Sequence, residues 1–123
     1  MRSKIVALSK NEEFKSLLKK KKVSNKYATI FFGKLDKKNN DKLNISFVTK
    51  KKIGNAVKRN KIKRRLRSVI QQKLKNKKFI DINYSYIIFG KSKTFTEKYS
   101  IISDELDKTF FKINQINNQN EVH

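Results

Sequence analysis

Lys50-Lys-Lys-Ile-Gly-Asn-Ala-Val-Lys-Arg-Asn-Lys-Ile-Lys-Arg-Arg-Leu-Arg67 is the stretch on which both the fold and the chemistry of this chain turn. Asn55 suits a helix N-cap, because its short side chain can accept a hydrogen bond from a first-turn N–H. From there the spacing predicts a helix to about Leu74, roughly 20 residues and roughly 30 Å long. At 100° per residue, Ile62, Leu66, Val69, Ile70 and Lys73 share one side, the predicted core face. Arg59, Lys63 and Arg67 are spaced by four and stack along one edge, with Asn60 and Arg64 in the adjacent row. Lys58, Lys61 and Arg65 lie round the other flank.

No acidic residue occurs between Lys42 and Ile80. Helices that merely face water intersperse Glu with Lys and gain i,i+4 pairs. Here the neighbours are all alike in charge, which costs stability unless phosphates neutralise them. Arg59, Arg64, Arg65 and Arg67 fall within this one helix, whereas basic positions elsewhere are almost all Lys. A guanidinium can hold phosphate bidentately, while an ammonium acts as a point charge. Asn60, a mediocre helix former on the exposed face, can bond phosphate, a 2′-hydroxyl or a base edge.

The rest of the composition agrees. The chain has 123 residues with 32 Lys+Arg against 10 Asp+Glu, a formal net charge of +22. That excess destabilises a compact state by self-repulsion, and a polyanionic partner is the natural reason to keep it. Leu, Ile, Val and Phe make up roughly 30% of the chain, above the roughly 20% below which a highly charged sequence is disordered. One modest core, hence one domain over residues 1–123, is expected. There is no Cys, and the single His is His123. Thiolate chemistry is excluded, and neither a catalytic residue nor a metal site is expected in the protein. No apolar run approaches a membrane span. Ile5 to Leu8 is too short for a signal peptide, so a soluble cytoplasmic protein with no membrane partner is expected.

Outward from the basic helix, Ser9 and Glu12 read as a capping box for a first helix over about Lys10 to Lys21, burying Phe14, Leu17 and Leu18. Lys19 to Lys22 read as a solvated run favourable at that helix's C-terminus. Tyr27 to Leu35 reads as a strand, Asp36 to Lys42 as a turn, and Leu43 to Thr49 as the antiparallel return strand. Lys75 to Asn83 reads as a loop, and Tyr84 to Phe89 as a third strand closed by Gly90. Thr94 and Glu97 suggest a second capping box. A last helix over about Thr96 to Ile113 buries Tyr99, Ile102, Leu106, Phe110 and Ile113, with Asp104, Glu105 and Asp107 on an exposed surface. Residues 114–123 are polar and expected to fray.

Phe14, Tyr27, Phe31, Phe32 and Phe47 concentrate on the first helix and first two strands. They can pack a core, or stack bases of single-stranded RNA in a basic groove. Alternation puts Ala28, Ile30 and Phe32 on one sheet face and Tyr27, Thr29 and Phe31 on the other, without saying which face is open. An RNA-processing subunit, a ribosomal protein and a DNA-binding nucleoid protein all fit the residues read this far.

Lys52 to Arg67, with Arg59-Asn60-Lys61 followed by Lys63, Arg64 and Arg67, closely resembles the signature of the bacterial ribonuclease P protein subunit. Leu8 to Phe14 is similar to that family's first helix, and Tyr86 to Lys91 to its late strand. The resemblance implies an α+β fold: a two-layer α/β sandwich with three helices, a small mostly antiparallel sheet and a left-handed crossover through the basic helix. It implies a subunit of an endoribonuclease that removes the 5′ leader of precursor tRNA. The chemistry belongs to a catalytic RNA with Mg²⁺, and no small-molecule cofactor is needed. The implied catalytic-RNA contacts are Lys52, Asn55, Arg59, Asn60, Lys61, Lys63, Arg64 and Arg67. The implied leader contacts are Phe14, Leu18 and Phe32. The chain departs from the family pattern at Leu18, Lys61, Ser68 and Gly90.

Overall fold

The computed structural model describes residues 5–8, 11–34, 42–76 and 80–121. In chain order they form β1 (Ile5–Val6), α1 (Asn11–Leu18), β2 (Lys21–Ser24), β3 (Ala28–Gly33), β4 (Leu43–Val48), α2 (Ala56–Lys75), β5 (Ser85–Gly90) and α3 (Tyr99–Glu121). Short 3-10 turns at Lys51–Ile53 and Ser92–Phe95 flank α2 and β5.

The five strands form one sheet in the order β1-β4-β5-β3-β2. The expected hairpin between β3 and β4 does not form, because β5 lies between them, antiparallel to β3 and parallel to β4. The β1–β4 pair is also parallel and β2–β3 antiparallel. The sheet is therefore mixed, with two antiparallel and two parallel pairings. The physical cause is α2: a crossover of that length returns the chain parallel to β4, and its apolar stripe needs the β4–β5 surface beneath it.

That stripe is the one predicted. Ile62, Leu66, Val69, Ile70 and Lys73 are all buried. Asn55 caps α2, its Oδ1 accepting from the Lys58 N–H at 2.9 Å. Gly90 brings α2 and β5 together, since a Cβ there would lie 2.5 Å from Ile62 Cγ2 and 2.9 Å from Leu66 Cδ1. The core on this face joins the α2 stripe to Ile30, Phe32, Ile45, Tyr86 and Ile88 of the sheet and Ile102, Leu106, Phe110 and Ile113 of α3. Across the sheet, α1 packs on β3 and β5. Its Leu17 lies beside Gly33, on the face that carries Phe31 and its partner Ile87.

Three local expectations change. The first helix ends at Leu18, and Lys21–Ser24 is a strand rather than a helix terminus. Only Val23 of that strand is buried; its lysines protect a sheet edge from pairing with another chain. Thr94 and Glu97 do not cap α3. Thr94 sits in a 3-10 turn, where its Oγ1 donates to the Tyr27 carbonyl at 2.8 Å, and α3 starts at Tyr99. At its far end α3 runs on to Glu121, through residues expected to fray. The Ser9 capping position lies outside the described residues.

Asp107 is not simply a surface carboxylate. Its Oδ1 accepts from Lys73 Nζ at 2.7 Å, and the same ammonium donates to the Ser103 carbonyl at 2.9 Å and to Ser103 Oγ at 3.0 Å. All three Lys73 protons are thus engaged at a residue only 4% exposed. This explains how a lysine can occupy a core position. Among the described residues no helix is long and apolar enough to cross a membrane.

Candidate nucleic-acid interface

Because its apolar stripe is committed to the core, α2 must present its cations along two flanks, and the flanks differ. On one, Arg65 donates from its guanidinium to the carbonyls of Phe95 and Glu97. Lys61 Nζ lies 4.7 Å from the Phe95 ring centroid and Lys58 Nζ 5.5 Å from it, and Lys58 also reaches Ser92 Oγ at 2.9 Å. This flank fastens α2 to the turn before α3.

The other flank carries Arg59, Asn60, Lys63, Arg64 and Arg67. Asn60, Arg64 and Arg67 are exposed, and Arg59 and Lys63 half-buried. Arg59 spends only Nε, donating to the Gly54 carbonyl at 3.0 Å. Arg67 holds its guanidinium carbon 5.2 Å from the Phe47 ring centroid. Among the described residues no carboxylate pairs with this row. It is a line of donors about two turns long that no described carboxylate neutralises, and a phosphate backbone supplies the missing negative charge.

Asn55 is exposed but its carboxamide oxygen is occupied as the cap of α2. Lys52 stands apart from the helix. It lines a groove of about 410 Å³ with Lys22, Lys50, Lys91, Phe31 and Phe89. The groove floor is aromatic: Phe31 and Phe89 meet edge to face, with centroids 5.6 Å apart at 66°. Lys22 Nζ sits 5.6 Å over Phe31. A flat ring surface rimmed by ammonium groups suits unpaired nucleobases on a phosphate chain.

Phe32 is not part of that surface. It is 1% exposed and belongs to the α2–α3 core, because β3 turns its even-numbered side chains toward the helices. Phe31, its neighbour on the opposite face, is the residue available for stacking. Leu18 and Phe14 are half-buried on α1, which covers the same sheet face as Phe31. Phe89, Lys22, Lys50 and Lys91 were not among the expected contacts. Phe89 could have been placed only through its register with Thr29, which a local pattern does not contain.

Among the described residues, no three His, Cys, Asp or Glu side chains come together to hold a metal ion.

Residues 3–114 match the family model described as Ribonuclease P. A ribonuclease P protein component of Bacillus pumilus is 44% identical over 75 residues, covering 58% of this chain and 61% of that protein. One from Mycoplasma mycoides is 33% identical over 106 residues, covering 86% and 94%. Among solved structures, the ribonuclease P protein of Staphylococcus aureus superposes with a TM-score of 0.67 at 23% identity, covering 88% of this chain and 94% of that one. That of Thermotoga maritima gives 0.68 at 21%, covering 85% and 94%. A family match over almost the whole chain, relatives in two bacterial genera and a shared fold agree, and the chain belongs to the ribonuclease P family as a bacterial protein component.

Proposed function

We propose that this subunit of the tRNA 5′-leader-processing endoribonuclease works by dividing RNA contacts between two surfaces. The unpaired flank of α2, with Arg59, Asn60, Lys63, Arg64 and Arg67, takes phosphates of the catalytic RNA. Lys61 joins it from the anchored side. The groove over Phe31 and Phe89, rimmed by Lys22, Lys50, Lys52 and Lys91, takes the single-stranded leader of precursor tRNA, with Phe14 and Leu18 of α1 on the same face. Asn55 serves α2 as its cap and orients the row behind it. Bond cleavage falls to the RNA and its Mg²⁺, and the protein contributes binding and positioning in the cytoplasm.

The observation that carries this reading is a cationic flank that no described carboxylate pairs with, together with an aromatic groove that has its own cations. Each phosphate contact releases counterions, so affinity falls with salt by about 0.7 to 0.9 log units per contact per log unit of salt. The test is reconstitution with a bacterial ribonuclease P RNA at low Mg²⁺. Precursor cleavage is expected to improve, and to improve more for leader-bearing than for leaderless substrate. Arg64→Ala should reduce the salt slope of assembly with the catalytic RNA by about 1. Phe31→Ala should spare assembly and cost about 1–3 kcal/mol in leader preference, the usual worth of one stacked base. Equal effects of both variants on both measurements would refute the division.

A further inference from the structure

At the opposite end of β3 from the leader groove lies a second basic hollow, of about 480 Å³, which neither surface above uses. Lys19, Lys20, Lys21 and Lys34 rim it, and Tyr84 and Asn117 line it. All four lysines are exposed. Lys34 Nζ stands 5.4 Å from the Tyr84 ring centroid, which fixes that ammonium at the rim. No lining residue among those described is acidic.

The sequence reads Lys19 to Lys22 as a solvated run. Because the first helix stops at Leu18, the run instead turns the corner into β2, and alternation splits it. Lys22 pairs with Phe31 and goes to the leader groove, whereas Lys21 pairs with Phe32 on the other face. Lys20 rises beside Gly33, where a Cβ would lie 2.4 Å from its Cδ. Three consecutive ammonium groups thus gather at one end of the sheet, at the electrostatic cost that such a cluster carries.

Asn117 supplies an independent observation. It is 4% exposed, and its Nδ2 has no hydrogen-bond partner among the described residues. A buried amide donor without an acceptor costs about 1–3 kcal/mol. It lies in the extension of α3 past residue 114, where the family match ends. Four cations and an unsatisfied N–H donor call for one thing, a compact anion rich in acceptor oxygens.

We propose that this hollow is a phosphate-binding site, in which Lys19, Lys20, Lys21, Lys34 and the Asn117 amide receive one phosphodiester group of bound RNA. The assignment of RNA as the source rests on the function proposed above. The phosphodiester can belong to the leader or to the catalytic RNA.

Two measurements on the full chain test it. Inorganic pyrophosphate is titrated while the Asn117 side-chain amide resonance is followed. It should shift in the natural protein, and stay still in Lys19→Gln/Lys21→Gln/Lys34→Gln. If pyrophosphate moves resonances of α2 but not those of Asn117 and Lys19–Lys21, the hollow is not a phosphate site. The other measurement is the salt dependence of RNA affinity for the triple variant and for Asn117→Leu. A slope reduced by about 1 with the catalytic RNA alone assigns the group to that RNA. The same loss seen only with long-leader precursor assigns it to the leader. No change in either overturns the proposal. Arg64→Ala is measured alongside. If it weakens assembly while the hollow variants do nothing, only the hollow fails; if it too does nothing, the two-surface reading fails.

Discussion

The flank of α2 that carries Lys58, Lys61 and Arg65 and the flank that carries Arg59, Asn60, Lys63, Arg64 and Arg67 both draw their charge from Lys and Arg on the same helix. They differ in what faces them. The Arg65 flank is turned onto the Ser92–Phe95 turn, which offers backbone carbonyls, a hydroxyl and an aromatic ring. The Arg64 flank is turned away from any described carboxylate. A cation's role here is set by the acceptors within reach, not by its place in a basic motif. Lys73, on the same helix, extends the contrast to the core, where an ammonium persists because three acceptors surround it.

The largest expected effect breaks the contrast at its buried end. Asp107→Ala leaves the Lys73 charge, 4% exposed, with only Ser103 for company. Loss of one partner from a buried pair costs about 3–5 kcal/mol. Asp107 is itself 31% exposed, so about 3 kcal/mol is expected, read as a lowered urea midpoint. Lys73→Met/Asp107→Leu should recover most of it, since a hydrophobic replacement has no charge to desolvate. RNA affinity of the folded protein should be unchanged in both variants. A fall in affinity as large as that of Arg64→Ala would put Lys73 in the RNA-binding surface and undo the distinction.

The next effect separates adjacent arginines. Arg65→Ala removes the side-chain donor to the Phe95 and Glu97 carbonyls and should cost about 1–2 kcal/mol of stability. Arg64→Ala should change stability by no more than about 0.5 kcal/mol while weakening assembly with the catalytic RNA. Paired unfolding and RNA-binding measurements on the two variants check the crossing pattern. If both lose RNA binding equally with no loss of stability, the two flanks are one surface.

These distinctions were only partly legible in the sequence. The Asn55 cap and the Ile62-Leu66-Val69-Ile70-Lys73 stripe were legible because they depend on helical geometry alone. Which flank would be anchored was not, since the acceptors at Phe95 and Glu97 arrive from 30 or more residues away. β2 was hidden by its composition: in an edge strand with one buried residue, Val23, the lysines outweigh the strand signal. The β3–β4 hairpin was the natural local reading, and only the packing of α2 explains why β5 enters between. For Phe31 and Phe32, alternation separates the pair but does not name the open face. α2 and α3 settle that by covering Phe32, which leaves Phe31 and Phe89 as the rings that line the groove.

The smallest effect tests the anchored flank through pH. Glu97, whose backbone carbonyl receives Arg65, has its carboxylate held by the Lys98 N–H at 2.9 Å and by the Tyr27 hydroxyl at 2.9 Å. The Lys98 N–H, and then the Tyr27 hydroxyl, keep its pKa below the usual carboxylate value. A lowered folded pKa means that the unfolded chain binds the proton more tightly. The stabilisation is therefore complete above the ordinary carboxylate pKa, and drains away as pH falls from there through the lowered folded value. Urea midpoints of the natural protein and Glu97→Gln should differ at pH 7 and converge toward pH 3. The solvent-facing flank contains no carboxylate, so Arg64→Ala should show no such convergence. A Glu97→Gln gap that stays constant over this range would mean that the carboxylate's charge does not help hold the segment whose carbonyl receives Arg65. Anchoring of α2 would then rest on the Arg65–carbonyl bonds, the Lys58–Ser92 bond and the contacts of Lys58 and Lys61 with Phe95.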